Sequence, residues 1–313
     1  MYELTQHARP TNRRQVAVAA IEWPTLGLIV GCHAMWLVAG LLYAAVPFLS
    51  VVLLAITIVL HSSLQHEAIH RHPTPSAGWN EALVWLPLGL LVPYRRYRTL
   101  HLLHHVDERL TDPFDDPESF YLAHSDWRRL PWIVRRLLAW NNMLCVRMVI
   151  GPLIGAATFL WADMKALSRR ADPQARRRDR LAWAHHAIGL AIVAAIVHLG
   201  FAMWAWAYLL AAYLALSILA VRSFCEHRWA ERPAHRIVIV ERSWLGLLFL
   251  NNNLHSVHHA EPRLPWYALP RAYRERRADW RRINGGYVYR GYGEVLRRFA
   301  FRAKEPVRHP AGR

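Results

Sequence analysis

Long apolar runs constrain this chain more than any other feature. Thr25–Ala44 (TLGLIVGCHAMWLVAGLLYA) contains no charged residue, and ~20 helical residues cross a hydrocarbon core ~30 Å thick. Pro47 marks a turn. A second run, Phe48–Leu60, reaches crossing length if it continues into the HSSLQ segment that follows. Leu181–Leu199 and Phe201–Val221 make another hairpin about Gly200. Ala82–Val92 is too short to cross and contains Pro87, with Pro93 just after it, so it reads as interfacial or re-entrant. Met143–Trp161 has nearly the right length but contains Arg147, Gly151, Pro152 and Gly155.

Charge placement orients these runs. The formal charge is +17, and Arg13 and Arg14, Tyr94–Arg98, Lys165–Arg180 and the C-terminal region are all rich in Arg. The positive-inside rule places such segments on the cytoplasmic face. Two hairpins, Thr25–Leu60 and Leu181–Val221, put every one of them there. A full crossing by Met143–Trp161 would move the most basic loop outside, so this stretch is expected to lie along the interface or to dip in and return. The expected fold is an all-α integral membrane protein with about four transmembrane helices in two hairpins and a cytoplasmic helical cap. It forms one domain over residues 1–313, with 1–22 as a cytoplasmic segment and 303–313 as a loose tail. The polar start, MYELTQHARPTNRRQ, reads as preceding a retained membrane helix rather than as part of a cleaved signal peptide. The basic residues lie between apolar runs, not on one polar arm with interleaved aromatics, which favours anionic lipid over nucleic acid. Cys32, Cys145 and Cys225 are far apart and form no CxxC pair, which argues against a disulfide framework, a zinc ribbon or a built-in iron–sulfur cluster.

The histidines carry the chemistry. Three clusters stand out: His66-Glu-Ala-Ile-His70, His101-Leu-Leu-His104-His105 and His255-Ser-Val-His258-His259. Residues at i, i+3 and i+4 share a helix face, so each cluster directs its imidazoles to one side. Imidazole is a neutral donor suited to iron, zinc or copper. A lone HxxxH is commonly incidental, but two HxxHH clusters and an HxxxH on one expected membrane face are not. A structural zinc takes about four ligands, so eight imidazoles suit two metals. His227, in Arg222-Ser-Phe-Cys-Glu-His227, emerges from the last run on the same face and is a ninth candidate; its alternative is a hydrogen-bonded histidine at a helix end. Glu67 and Glu226 stand beside candidates, where carboxylates orient metal-bound imidazoles or simply face solvent. His61 and His72 are secondary candidates. His33, His124, His185, His186, His198, His235 and His309 lack cluster spacing and read as structural or surface residues.

This order of clusters resembles the three histidine boxes of membrane fatty acid desaturases and related hydroxylases. Thr111-Asp112-Pro113 and Asp115-Asp116-Pro117 resemble the acidic Asp-Pro stretch found after the second box. Asn251-Asn-Asn-Leu-His255-Ser-Val-His258-His259, with Pro262, Pro265-Trp266-Tyr267, Leu269-Pro270 and Tyr273, resembles the third box and its downstream signature. The resemblance runs over about His61–Tyr273. It implies that the eight box histidines, with His227 as a further ligand, bind two ferrous ions that activate O₂. One of Asn251–Asn253 would hold a ligating water.

Oxidation of an unactivated methylene needs a metal–oxygen oxidant that the protein positions. The resemblance implies such an oxidation in a long acyl chain at the membrane, with a cis double bond as product. Electrons would come from a separate donor of ferredoxin or cytochrome b5 type. Desaturases, hydroxylases, ketolases and epoxygenases share these boxes, so hydroxylation or ketolation of a lipid, terpenoid or alkane is the alternative. From another class, a metal transporter or sensor would use His clusters as binding stations. Transport sites lie near the midplane on broken helices, whereas these clusters lie outside the apolar runs. The basic segments Arg95–Arg98, Arg128–Arg136 and Arg271–Arg282 could hold a phosphate or carboxylate head group or serve as membrane anchors. Trp132, Trp229, Trp266 and Trp280 suit the lipid interface.

Overall fold

The computed structural model describes residues 21–169 and 171–312, so the expectation for residues 1–22 falls almost wholly outside it. In chain order the helices are α1 (Trp23–Leu41), α2 (Pro47–Ile69), α3 (Ala77–Val84), α4 (Tyr94–His104), α5 (His124–Arg129), α6 (Trp132–Trp140), α7 (Leu144–Arg169), α8 (Pro173–Ala195) and α9 (Ala205–Glu226). The cap after α9 holds α10 (His255–Ala260), α11 (Leu269–Glu275), α12 (Arg277–Ile283) and α13 (Tyr292–Phe299). Its one parallel strand pair joins β1 (Ile239–Val240) to β2 (Val288–Tyr289). Proline stands in the first turn of α1, α2 and α8, where its missing N–H has no intrahelical partner to lose and its φ is already helical.

Helix α2 is the centre of the bundle, packed against α1 on one side and α9 on the other, and α9 packs in turn on α7. Trp36, Leu54, Ile58, Leu88 and Tyr208 are buried together in this core. In the segment between α3 and α4, expected to be interfacial or re-entrant, Leu88 is buried among the helices. Apolar surroundings demand that its carbonyls find donors within the protein. Tyr208 Oη donates to Leu88 O and His186 Nε2 lies against Leu90 O, each at 2.9 Å. Gly189 lets this segment in, since a Cβ there would lie 2.6 Å from Pro87 Cδ.

Among the described residues, five helices are long and apolar enough to cross a membrane: Trp23–Ala44, Pro47–Ile69, Leu144–Arg169, Pro173–Gly200 and Ala205–Glu226. Four correspond to the two expected hairpins, the last starting at Ala205 where the run was expected from Phe201. The fifth, α7, contains the stretch that charge placement set apart. It is one continuous helix through Pro152, with no dip and return. Both its ends are tied to residues beside the histidines. At one end Lys304 N donates to Asn142 O, and Lys304 Nζ reaches the His227 carbonyl at 2.5 Å. Near the other, Asp163 pairs with Arg96 on α4, the helix of the second cluster. These contacts suit a helix running along the histidine side of the bundle.

Three expectations change. The residues from 303, expected to be loose, are built into the cap: Leu122 N donates to Val307 O, His309 N donates to Leu122 O, and Val307 and His309 are buried. Lys304 holds them there through its bond to His227. Trp280, assigned to the lipid interface, is buried in the cap with its indole N–H donating to Ala272 O at 3.2 Å. Arg96, grouped with head-group binders, is buried and fully engaged. Its Nε lies 3.0 and 3.1 Å from the Asp163 oxygens and its Nη1 lies 2.5 Å from Asp179 Oδ1, while Trp183 Nε1 also donates to Asp163 at 2.7 Å.

That network clamps α4 to α7 and α8. Removing one partner of a buried ion pair leaves uncompensated charge, at a cost of about 3–5 kcal/mol. Arg96→Met is therefore expected to lower the unfolding midpoint of the protein in detergent by a clearly measurable amount. An unchanged midpoint would show that the clamp contributes nothing.

Candidate metal centre

The three clusters and His227 meet in one buried place. His66, His70, His101, His105 and His258 form one group, and His104, His227, His255 and His259 form a second; within each group the nearest ring nitrogens lie within 4.8 Å of one another. All nine histidines singled out in the sequence are present. The HxxHH clusters do not each serve one group, however. His101 and His105 go to the first and His104 to the second. His258 goes to the first, and His255 and His259 go to the second. Positions i and i+4 stand directly above one another on a helix while i+3 lies to one side, so each HxxHH reaches both groups.

Different elements bring the rings together. Helix α2 carries the first cluster at its inner end and α4 carries the second. The third opens α10 after a turn in which Leu250 and Asn251 take positive φ (49° and 56°). Asn tolerates that conformation better than most residues. His227 lies just past α9 in extended backbone, bridged to Ile237.

Hydrogen bonds on the outer nitrogens determine what the inner ones offer. His104 Nδ1 lies 2.8 Å from Asp116 Oδ1, His101 Nδ1 lies 2.9 Å from Glu118 Oε1, and His255 Nδ1 lies 3.0 Å from Asn252 Oδ1. In the neutral ring an oxygen acceptor there fixes the proton on Nδ1 and leaves Nε2 as a lone pair, the form that a metal requires. Those Nε2 atoms converge. His104 Nε2 and His255 Nε2 lie 2.9 and 3.0 Å from His227 Nε2, and His101 Nε2 lies 3.1 and 3.0 Å from the Nε2 atoms of His70 and His105. One N–H on His227 could satisfy only one of its two neighbours, and the buried Nδ1 of His227 has no hydrogen-bond partner. Several lone pairs directed at one point fit a metal cation better than any arrangement of protons.

Charge agrees with this. Burial and neighbouring imidazoles hold His227, His255 and His258 far below the usual histidine range, so they are neutral donors. Burial also lowers His104, but the Glu118 and Asp116 carboxylates outweigh it and push the metal-free imidazole up to about 9. Against its own burial, Glu118 is held well below the usual carboxylate range by His104 and His101. The acids thus favour positive charge at this point, whether proton or metal.

The surrounding residues divide into those legible in the sequence and those missed. Glu67 and Glu226 are both buried, not solvent-facing: Glu67 accepts from Trp266 N at 3.1 Å, and Glu226 accepts from Asn252 Nδ2 at 3.2 Å. Of the three asparagines, Asn252 orients His255, while Asn251 and Asn253 donate to the carbonyls of Trp266 and Val240. His72 lies outside both groups with its Nδ1 2.6 Å from Glu22 Oε1, and His61 lies against the His33 ring. In the sequence Asp116 stands out only as part of an Asp-Pro stretch, and Glu118 has no signal beyond its place two residues after Asp116.

Outer-shell partners of metal-bound histidines typically contribute 10–100-fold in metal affinity. Asp116→Asn is expected to weaken metal binding by the four-histidine group by about that factor, measured by chelator competition under anaerobic ferrous conditions. Metal entering that group must also displace the His104 proton. Its affinity should therefore rise as pH goes from about 7 to about 9 and level off above; a flat profile would contradict this account.

The family model for fatty acid desaturase matches residues 41–291 of the chain, most of its length. No curated protein matches it.

Proposed function

The chain belongs to the fatty acid desaturase family, and on that premise we propose that it uses O₂ to introduce a double bond into a long acyl chain. The metals are two irons held by His66, His70, His101, His105 and His258 on one side and by His104, His227, His255 and His259 on the other. Membership of the family makes the protein an oxidoreductase of membrane lipid or acyl substrates. The observation that carries the finer reading is the pair of adjoining all-imidazole groups, backed by Asp116, Glu118 and Asn252. Iron bound there would supply the O₂ activation that no side chain provides.

The chain's own residues supply position and exclusion. Seven of the nine rings are buried, and His105 and His227 partly so, which limits bulk water at the two groups. A cavity of about 1170 Å³ between α6 and α7, lined by Leu130, Val134, Leu137, Ile154 and Phe159, begins at Glu118 and has the apolar lining that an acyl chain requires. Trp132 and Trp140, both exposed on α6, suit the lipid interface from which such a chain would enter. The three cysteines are free, with Cys32 and Cys225 buried, so electrons come from a separate donor of ferredoxin or cytochrome b5 type. The Arg-rich segments favour a cytoplasmic position for the metal side.

Mass-spectrometric lipid and fatty-acid profiles of cells expressing the wild type and His104→Ala test this reading. A product lighter by two hydrogens, absent with His104→Ala, is the expected result. A product heavier by one oxygen would make the enzyme a hydroxylase. Equal profiles, with the electron donor and acyl substrates both supplied, would overturn the reading.

A further inference from the structure

One cation stands where three cavities meet. Arg147 on α7 lines the apolar cavity between α6 and α7, a second of about 330 Å³ bounded by α7 and α9, and a third of about 200 Å³ that also contains His227, Asp116 and Glu118. Its guanidinium lies 5.8 Å from the ring centroids of Phe120 and Phe224. No ion pair found among the described residues includes Arg147; the Glu226 carboxylate, paired with Arg222, acts on it only at longer range. Aromatic faces attract a cation but do not neutralise it.

Arg222 on α9 lines the second cavity as well. Its Nε forms an ion pair with Glu226 Oε1 at 3.0 Å, but neither its buried Nε nor its buried Nη1 has a hydrogen-bond partner. Glu226 therefore serves Arg222 and Asn252, while Asp116 and Glu118 are engaged with His104 and His101. The second cavity is also polar beyond its arginines, with Ser62, Gln65, Tyr97 and Ser223 in its wall. Glu118 is surrounded by protein but keeps 35% of its side chain exposed, which marks this space as open to a ligand. A plain hydrocarbon filling it would strip water from Arg147 and return nothing, and an enclosed charge without a partner is strongly unfavourable.

We propose that Arg147 and Arg222 bind the carboxylate of the substrate, so that the protein takes a free, unesterified acid whose hydrocarbon lies in the cavity between α6 and α7. A planar guanidinium fork matches a carboxylate. An ester or thioester would place a neutral, bulkier group at the same point. This assignment deepens the desaturase reading above and rests on it, but binding can be measured without turnover.

The test uses the full-length, metal-loaded protein in nanodiscs, titrated with hexadecanoic acid, its methyl ester and a lysophosphatidic acid, and followed by tryptophan fluorescence. The acid is expected to bind at least about tenfold more tightly than the ester. Arg147→Gln should remove that preference while metal content stays at the wild-type value, and Arg147→Lys should restore part of it. Equal binding of acid and ester by the wild type would overturn the proposal. So would an acid affinity unchanged in Arg147→Gln, or tighter Arg147-dependent binding of the lysophosphatidic acid. An acid that binds through Arg147 and is never oxidised would remove the desaturase reading and leave the carboxylate site standing. Oxidation of an ester by a protein that does not bind the acid would do the reverse.

Discussion

Imidazole nitrogens whose lone pairs point at one another repel unless a proton or a metal cation lies between them, and the rest of this structure is arranged around that fact. Asp116, Glu118 and Asn252 hold the protons of His104, His101 and His255 on the outer nitrogens, so the inner ones converge. Carboxylates placed outside the rings draw positive charge to the same point. Without these outer partners a tautomer change would let each ring turn toward water or toward its neighbour, and the convergence would be lost.

Holding rings from four separate segments within a few ångströms requires a rigid frame. Helix α2 provides its axis, and buried polar contacts set the positions of the other helices around it. The Arg96 network fixes α4, which carries three of the nine histidines, to α7 and α8. The re-entrant segment before α4 is fixed by Tyr208 and His186 from α9 and α8. In an apolar interior these contacts are more than decoration, because an unpaired carbonyl or charge there has no water to fall back on. Lys304 extends the frame from the far end of the chain, reaching the His227 carbonyl and closing the cap over the second histidine group.

The same physics explains the cavities. Apolar side chains of α6 and α7 line the cavity between them, whereas the walls nearest the histidines are polar and carry arginines. An elongated amphiphile, with an oily body and an anionic end, is complementary to that gradient in a way that neither a wholly apolar nor a wholly polar molecule would be.

Much of this was legible in the sequence. Runs such as Thr25–Ala44 declare membrane helices because backbone in lipid has one economical way to satisfy its own hydrogen bonds. The i, i+3, i+4 spacing of the histidines declares shared faces because the helical period is a property of the backbone, not of the environment. Met143–Trp161, which its charge and proline set apart, instead lies in one continuous helix long and apolar enough to cross a membrane. What the tertiary structure alone decided is how those local units divide and meet. The two HxxHH clusters split between two groups, Glu118 and Asn252 became the partners of His101 and His255, the tail residue Lys304 packed against His227, and Arg147 came to stand at the junction of three cavities. Each of these pairs residues distant in sequence or chooses between neighbours that local spacing treats alike. Periodicity fixes which face a side chain is on, but which partner that face meets depends on how the helices pack.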